Sequence, residues 1–349
     1  MDSLWDSPDF DEHELVQFIH DRESGLRALI AIHSSHLGPV GGGVRFWHYA
    51  KSGDAVVDAL RLSRGMSYKN AMAGLPLGGG KAVILADSQR TKTPEMLAAF
   101  GRAVEALAGR YVTAEDVGMS VADLSAISKQ TRHVAGLPVG EGEVGGDPGP
   151  HTSYGVYLGI CAAAKRALGR DSLAGVHIAL QGAGSVAGGV ARRAAADGAR
   201  LSIADIDGDR ARRLADEVGG TVVAPDEVLF LEADVVSPNA LGAILDEQSI
   251  PRLRTTVVAG GANNQLATPE DGDRIHQRGI LYAPDYVINA GGIINVSTEY
   301  VGDGDADTVR GRIEAIPGRL ETIWDESIAT GRNAAAVADD MARRLIGRG

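Results

Sequence analysis

The stretch Val176-His177-Ile178-Ala179-Leu180-Gln181-Gly182-Ala183-Gly184-Ser185-Val186-Ala187 narrows the folds open to this chain more than any other. An apolar, strand-like run ends at a glycine, and a helix-like run begins a few residues later. In Gly182-x-Gly184-x-x-Ala187 the first glycine permits a tight strand-to-helix turn. The second lets backbone approach a pyrophosphate, and the small Ala187 allows close helix-strand packing. The helix start, with Ser185 and Val186 in its first turn, then faces an anion. A glycine-rich junction also arises for purely structural reasons, so the surroundings decide. A strand precedes it, a helix follows, and Asp205 ends the next strand 23 residues after Gly182. That is where a carboxylate reaches ribose hydroxyls, so the reading is dinucleotide binding. A carboxylate there repels a 2′-phosphate, which favours NAD over NADP. Asp207 reads as a cap or a solvated loop residue.

Around this junction strands at 176–181, 201–205, 233–236, 255–259 and 279–282 alternate with helices ending near Asp197 and Val218. Such alternation predicts a parallel, doubly wound sheet with right-handed crossovers. Earlier, strands are expected at 26–33, 44–47, 81–85 and 111–113. Helices are expected over 53–73 and from Thr93-Pro94-Glu95 to near Gly109. Pro138, Gly140, Gly142, Gly145, Gly146, Pro148 and Gly149 crowd the stretch 136–150, which marks a hinge and a domain boundary, followed by a helix over 152–168. The expected fold is α/β: an N-terminal α/β domain over 1–140, a Rossmann-like doubly wound parallel-sheet domain over 141–295, and C-terminal helices over 296–349 packing back toward the first.

The chain has 349 residues, 44% of them hydrophobic, enough to bury two cores. A formal charge of −12 with no local run of Lys or Arg leaves no footprint for nucleic acid. Residues 1–11 lack the basic start and apolar stretch of a secretory signal, and no apolar run reaches membrane-spanning length, so a cytoplasmic protein is expected. Cys161 is the single cysteine. It excludes an internal disulfide and any cysteine-cluster metal site, and it reads as a small buried hydrophobe. No metal is expected.

Two lysines stand twelve residues apart, Lys69 in Ser67-Tyr68-Lys69-Asn70-Ala71 and Lys81 closing Leu77-Gly78-Gly79-Gly80-Lys81. The second segment is not a phosphate-cradling loop, because Leu75 and Ala82 stand where that loop needs glycine and Ser or Thr. Taken singly, Lys69 reads as a solvated helix-face lysine. Lys81, at the start of an apolar strand, is poorly placed for solvation. As a pair in a partly dry site, each ammonium disfavours the other's protonated form, which lowers one pKa toward the ~7 to 8 useful to a general base. A carboxylate is then needed to pass protons. Asp116 in Ala114-Glu115-Asp116-Val117-Gly118 is the candidate, and on residue type alone it reads equally as a turn or cap residue.

These residues resemble the amino acid dehydrogenase family that holds glutamate, leucine, valine and phenylalanine dehydrogenases, most closely its leucine branch. The motifs are Gly42-Gly43-Val44-Arg45, Met66-Ser67-Tyr68-Lys69-Asn70-Ala71, Leu77-Gly78-Gly79-Gly80-Lys81, Tyr111-Val112-Thr113-Ala114-Glu115-Asp116-Val117-Gly118 and Tyr282-Ala283-Pro284-Asp285-Tyr286-Val287-Ile288-Asn289-Ala290-Gly291-Gly292. The resemblance implies reversible NAD-dependent oxidative deamination of an L-amino acid to its 2-oxo acid and ammonia. It implies that Lys69 binds the substrate carboxylate with Gly42 and Asn264, that Lys81 activates water, and that Asp116 relays protons. It puts Thr152 near the nicotinamide amide and adds Asn239 and Asn289 to the cofactor set of Gly182, Gly184, Ser185, Val186 and Asp205. The first domain becomes the substrate-binding and oligomerisation domain, and two domains are expected to close over a cleft near 136–150.

Side-chain specificity turns on Gly41, where the family's glutamate enzymes carry a lysine and its leucine enzymes a leucine. Glycine leaves a glutamate carboxylate unpaired and enlarges the pocket, while Ala114, Ile293 and Val296 keep it apolar. A leucine, valine or isoleucine substrate is expected, with phenylalanine or tryptophan as the alternative and a catalytically idle nucleotide-binding sensor as the alternative of another class. Asn263, Asp147 and His151 depart from the leucine branch. A C-terminal tail shorter than in the octameric leucine enzymes favours a dimer over an octamer, and a homodimer or higher homo-oligomer is expected.

Overall fold

The computed structural model describes residues 3–349 except Arg90, Val139, residues 141–143 and Leu241, so part of the hinge stretch, Gly142 included, lies outside the described residues. The chain divides into two compact units. The first comprises 1–146, 295–306 and 342–349, and the second 147–294 and 307–341.

In the first unit β1 (Leu15–Asp21), β2 (Leu26–Ser34), β3 (Val40–Trp47), α1 (Ser52–Met72), β4 (Gly78–Leu85), α2 (Pro94–Glu105), β5 (Tyr111–Glu115) and α3 (Val121–Ile127) follow in order. The sheet runs β1-β2-β4-β3-β5, with β1 and β4 antiparallel to β2, and β3 parallel to β4 and β5. β2 is a nearly continuous apolar run because both its faces are covered. Leu26, Ala28, Ile30 and Ile32 enter the core with Leu97, Phe100, Leu124 and Ile127, while Leu29 and Ala31 pack with Ala55 and Ala59 of α1. Thr93 caps α2, and Ser120 with Asp123 forms a capping box on α3.

β4 begins at Gly78, so the strand expected from Lys81 starts three residues earlier and takes in all three glycines. They are glycine because α1 and β3 press on them. A Cβ on Gly79 would stand 1.9 Å from the Ser67 amide nitrogen. Gly79→Ala is therefore expected to force α1 off the sheet and destabilise this unit by about 3 kcal/mol or more, read as a lower denaturant midpoint. An unchanged midpoint would contradict this packing.

The second unit holds α4 (Gly149–Leu168), β6 (His177–Gln181), α5 (Ser185–Ala196), β7 (Arg200–Ala204), α6 (Gly208–Val218), β8 (Thr221–Val222), β9 (Val235–Pro238), β10 (Val257–Val258), α7 (Pro269–Gln277), β11 (Leu281–Tyr282) and α8 (Asp285–Ile288). Its sheet, β11-β10-β9-β6-β7-β8, is parallel throughout, as the alternation predicts. α9 (Gly291–Val301), α10 (Ala306–Glu314), α11 (Ile316–Thr330) and α12 (Ala334–Leu345) complete the chain.

The C-terminal helices do not all join the first unit. Residues 307–341 belong to the second, because α11 packs on α4 and α8: Leu320 and Ile288 lie where a Cβ on Gly159 would fall, and Trp324 Nε1 donates to the Tyr282 carbonyl at 2.8 Å. Only 295–306 and 342–349 belong to the first. Asn295 pairs with the Gly145 backbone, Glu299 accepts from the Gly136 and Leu137 amides, and Arg343 and Arg348 bind Asp11, Tyr68 and His33.

Candidate active site

Strand alternation brings the candidate catalytic residues of the first unit together. Along β4, Ala82 and Ile84 point into the main core and Val83 points toward α1, so Lys81 shares the α1 face. Along β3, Val44 and Phe46 enter the core, and Arg45 faces α1 as well. Gly43 of β3 has the same parity and pairs with Ala114 of β5. A Cβ on it would stand 3.0 Å from the Asp116 Cβ. Its missing side chain leaves room for Asp116 to reach Lys81 Nζ, at 2.5 Å from Oδ2.

Arg45 Nε donates to the same Oδ2 at 3.1 Å, and Arg45 Nη1 donates to Asp58 Oδ2 on α1 at 2.8 Å. The Tyr49 hydroxyl donates to that Asp58 oxygen at 2.5 Å. Lys81 is 5% exposed, and burial pushes its ammonium below the ordinary lysine range. Asp116 opposes that shift and the Arg45 cation adds to it. Burial alone would raise the Asp116 carboxyl, but Lys81 and Arg45 outweigh it and hold the group ionised. A permanent carboxylate beside an ammonium that releases its proton readily is what water activation with proton relay requires.

Lys69 lies half-buried in the last turn of α1. The stretches bearing the two lysines touch, since Ser67 abuts Gly79 and Asn70 Nδ2 donates to the Gly78 carbonyl at 2.6 Å. The buried Asn70 Oδ1 has no partner. Gly42 passes against the Gly80 carbonyl, where a Cβ would fall at 1.8 Å. A Cβ on Gly41 would meet Leu77 Cδ1 at 3.2 Å, so Leu77 occupies part of the room the glycine leaves and the expected enlargement is reduced. Ala114 and Val296 come together in an apolar cluster with Val112, Ala135 and Tyr300. Ile293 belongs to the second unit, as does Asn264, which is exposed with a left-handed φ of 52°.

In the second unit Gly182 adopts a φ of 93°, the left-handed turn that only glycine enters cheaply. Gly184 is the N-cap of α5 with open space where a Cβ would be, and no side chain caps the helix. Ser185 and Val186 open α5, and Ser185 Oγ packs against Gly149 at the start of α4. Asp205 is not simply turned outward. Its Oδ2 accepts the Ala183 amide at 2.7 Å and its Oδ1 the Asp207 amide at 2.8 Å, so it braces the glycine turn, with Arg210 3.9 Å away. Asp207 caps α6, as its sequence position suggests.

Asn239 Oδ1 accepts the Gly261 amide at 2.8 Å, and Asn289 Nδ2 donates to the Gly261 carbonyl and to Asn263 Oδ1. Asn289 Oδ1 is buried without a partner. An open glycine, an uncapped helix start and an orphaned buried acceptor fit a dinucleotide, which supplies both a pyrophosphate and hydrogen-bond donors. Thr152 Oγ1 donates to the Pro148 carbonyl at 3.0 Å and sits where a Cβ on Gly292 would fall. Among the described residues no group of three or more His, Cys, Asp or Glu is placed to hold a metal ion, and no helix is long and apolar enough to cross a membrane.

Sequence reasoning missed Arg45, Asp58, Tyr49 and the clearance at Gly43. Gly43 and Arg45 share a parity within an apolar strand, and that signal was available for those two. Nothing local marked Asp58 or Tyr49.

Residues 13–133 match the family described as Glu/Leu/Phe/Val dehydrogenase, dimerisation domain, and 210–343 match Glutamate/Leucine/Phenylalanine/Valine dehydrogenase. Leucine dehydrogenase of Bacillus subtilis (strain 168) is 46% identical over 97% of this chain and 92% of its own. Valine dehydrogenase of Streptomyces albus is 42% identical over 96% of this chain and 92% of its own. The crystal structure of L-tryptophan dehydrogenase from Nostoc punctiforme is similar at a TM-score of 0.84 and 39% identity, over 96% of each chain.

Proposed function

Because this chain belongs to the glutamate/leucine/phenylalanine/valine dehydrogenase family and is an amino acid oxidoreductase, we propose that it carries out reversible NAD-dependent oxidative deamination of an L-amino acid of the leucine, valine or isoleucine type. The observation that carries this is the buried Lys81–Asp116 pair, 2.5 Å apart under α1.

NAD, when bound, accepts a hydride from the substrate Cα. Everything else falls to side chains of the chain itself. Lys69 holds the α-carboxylate, which fixes the Cα and its hydrogen. Loss of hydride leaves an iminium. Neutral Lys81 takes a proton from the water that adds to the iminium carbon, and Asp116 relays that proton from the Lys81 ammonium to the nitrogen. As the new hydroxyl gives its proton to Lys81, the C–N bond breaks, ammonia leaves and the 2-oxo acid remains. Asp205, braced at the glycine turn beside the ribose position, favours NAD over its 2′-phosphorylated form.

Leu77 beside Gly41 and the cluster around Ala114 and Val296 favour branched aliphatic side chains over aromatic ones. A family region named for dimerisation, and β1 at the sheet edge with Phe18 65% exposed, support a homo-oligomer of at least two chains. Following reduced nicotinamide in a screen of amino acids tests the reading. Leucine, isoleucine and valine are expected to exceed phenylalanine and tryptophan by about tenfold or more in kcat/KM. Glutamate, whose distal carboxylate finds no cation, should fall lower by about a thousandfold. Turnover led by tryptophan would move the specificity to the aromatic members, and turnover with none would leave a nucleotide-binding sensor.

A further inference from the structure

Arg45 has no role assigned from sequence, and the structure sets it against the Lys81–Asp116 pair. Its guanidinium stays charged at every working pH and offers donors in a rigid fork. One arm of the fork reaches Asp116 Oδ2 at 3.1 Å, and the other reaches Asp58 Oδ2 at 2.8 Å. Asp58 is in turn held by the Tyr49 hydroxyl at 2.5 Å, and burial together with that bond keeps this phenol protonated. The side chains of Arg45, Asp58 and Asp116 are each about a quarter exposed or less, so water screens the chain of contacts only in part. Lys81 and Arg45 converge on one carboxylate oxygen, and neither can leave without unbalancing the other.

We infer that Arg45, clamped by Asp58 and Tyr49, is a positioning residue for the deamination chemistry: it fixes the Asp116 carboxylate against Lys81 and, as a permanent cation, sets the pH range in which that pair works. This rests on the functional reading above and adds to it. The charged and titratable groups that act on the pair are Arg45 from β3, Asp58 from α1 and Tyr111 from β5, with Tyr49 behind Asp58 and Arg45. Arg45 binds Asp116 directly, Nε to Oδ2 at 3.1 Å. Removing it withdraws a repulsion from the Lys81 ammonium, so Lys81 loses its proton at higher pH.

The test compares Arg45→Met and Arg45→Lys with the unaltered chain. Both are assayed for the pH dependence of kcat/KM in amino acid oxidation. Lys81 is separately titrated by trace acetylation read by mass spectrometry, a measurement that needs no turnover. In Arg45→Met the rise of kcat/KM with pH, and the labelling midpoint of Lys81, should both move up by about one pH unit. Activity at neutral pH should drop about tenfold or more. Arg45→Lys keeps the charge and loses the fork, so its profile should stay near the original while kcat falls severalfold. A residue that merely ties β3 to α1 would leave both profiles in place, and that result, or full kcat in Arg45→Lys, overturns the proposal. Should Arg45→Met fail to fold, Arg45→Lys decides alone. If the unaltered chain oxidises no amino acid, the functional reading fails, while the labelling midpoint still decides the electrostatic role of Arg45.

Discussion

Replacing Lys81 with methionine is expected to lower kcat/KM for amino acid oxidation by about 10⁴-fold while leaving NAD affinity within about twofold. The side chain is 5% exposed and methionine fills similar volume, so the strand should keep its packing. Asp116 remains paired with Arg45, which prevents an uncompensated buried carboxylate. What disappears is the amine proposed to take a proton from attacking water, and a positioned general base contributes about 10² to 10⁴ in rate. Cofactor affinity should persist because the glycine turn, Asp205 and Asn289 belong to the other unit. Steady-state kinetics together with calorimetric NAD binding separates the two effects. Lost NAD affinity with normal turnover would reverse the assignment of roles.

The second large effect concerns stability in acid. His13 and His33 are buried side by side, ring centroids 4.9 Å apart, at 7% and 0% exposure. Arg348 Nη1, always a donor, lies 2.7 Å from His33 Nε2, so that nitrogen accepts and the proton sits on Nδ1, facing Ser67 Oγ at 2.8 Å. The His33–Asp11 contact at 3.2 Å is then an approach between a neutral ring and a carboxylate rather than an ion pair. Burial depresses His13 to about 4, and burial followed by the Arg348 and His13 charges depresses His33 to about 3, from an ordinary 6.5.

Both folded values lie below the unfolded ones. Stability is therefore fully present above pH 6.5 and drains away as pH falls toward the folded values, because the unfolded chain binds two more protons. Two protons correspond to a limiting slope of about 2.7 kcal/mol per pH unit, approached only below the unfolded value, so the first unit should lose about 3 kcal/mol between pH 6.5 and pH 5. Urea unfolding across this range, followed by a probe in the first unit, should show the midpoint sliding down, with the slope halved in His13→Gln. A flat midpoint would mean that these rings are solvated or already charged.

The sequence made most of the second unit legible. The Gly182 turn, the parallel order of β6, β7, β9 and β10, and the capping by Asp207 follow from local pattern, since each depends on residues near in the chain. β1 was missed because an edge strand half exposed on both faces, Leu15–Asp21, has only a faint alternation. α7 was missed because its nine residues are mostly polar, although Thr268-Pro269-Glu270-Asp271 carries a readable capping box.

In the site, Lys81 and Asp116 were readable as types that complement each other. Their company was not. Arg45 meets Asp116 across 71 positions, and Arg348 meets His33 across 315, and such meetings are set by the sheet order rather than by any local run. Gly41 shows the same limit from the other side, because the glycine is visible in sequence and Leu77 leaning into its space is not. The fate of 307–341 was misjudged for a related reason: whether a terminal helix returns to the first unit depends on which glycines of α4 leave room for Leu320 and Ile288.

In the proposed reaction hydride leaves the Cα of an apolar amino acid while the Lys81–Asp116 pair manages the protons. The most direct measurement supplies L-leucine deuterated at Cα together with NAD and follows the label by mass spectrometry alongside released ammonia. One deuterium in reduced nicotinamide is expected for each ammonia formed, with 2-oxo acid as the carbon product. Deuterium appearing in water, or ammonia formed without cofactor reduction, would contradict that reaction.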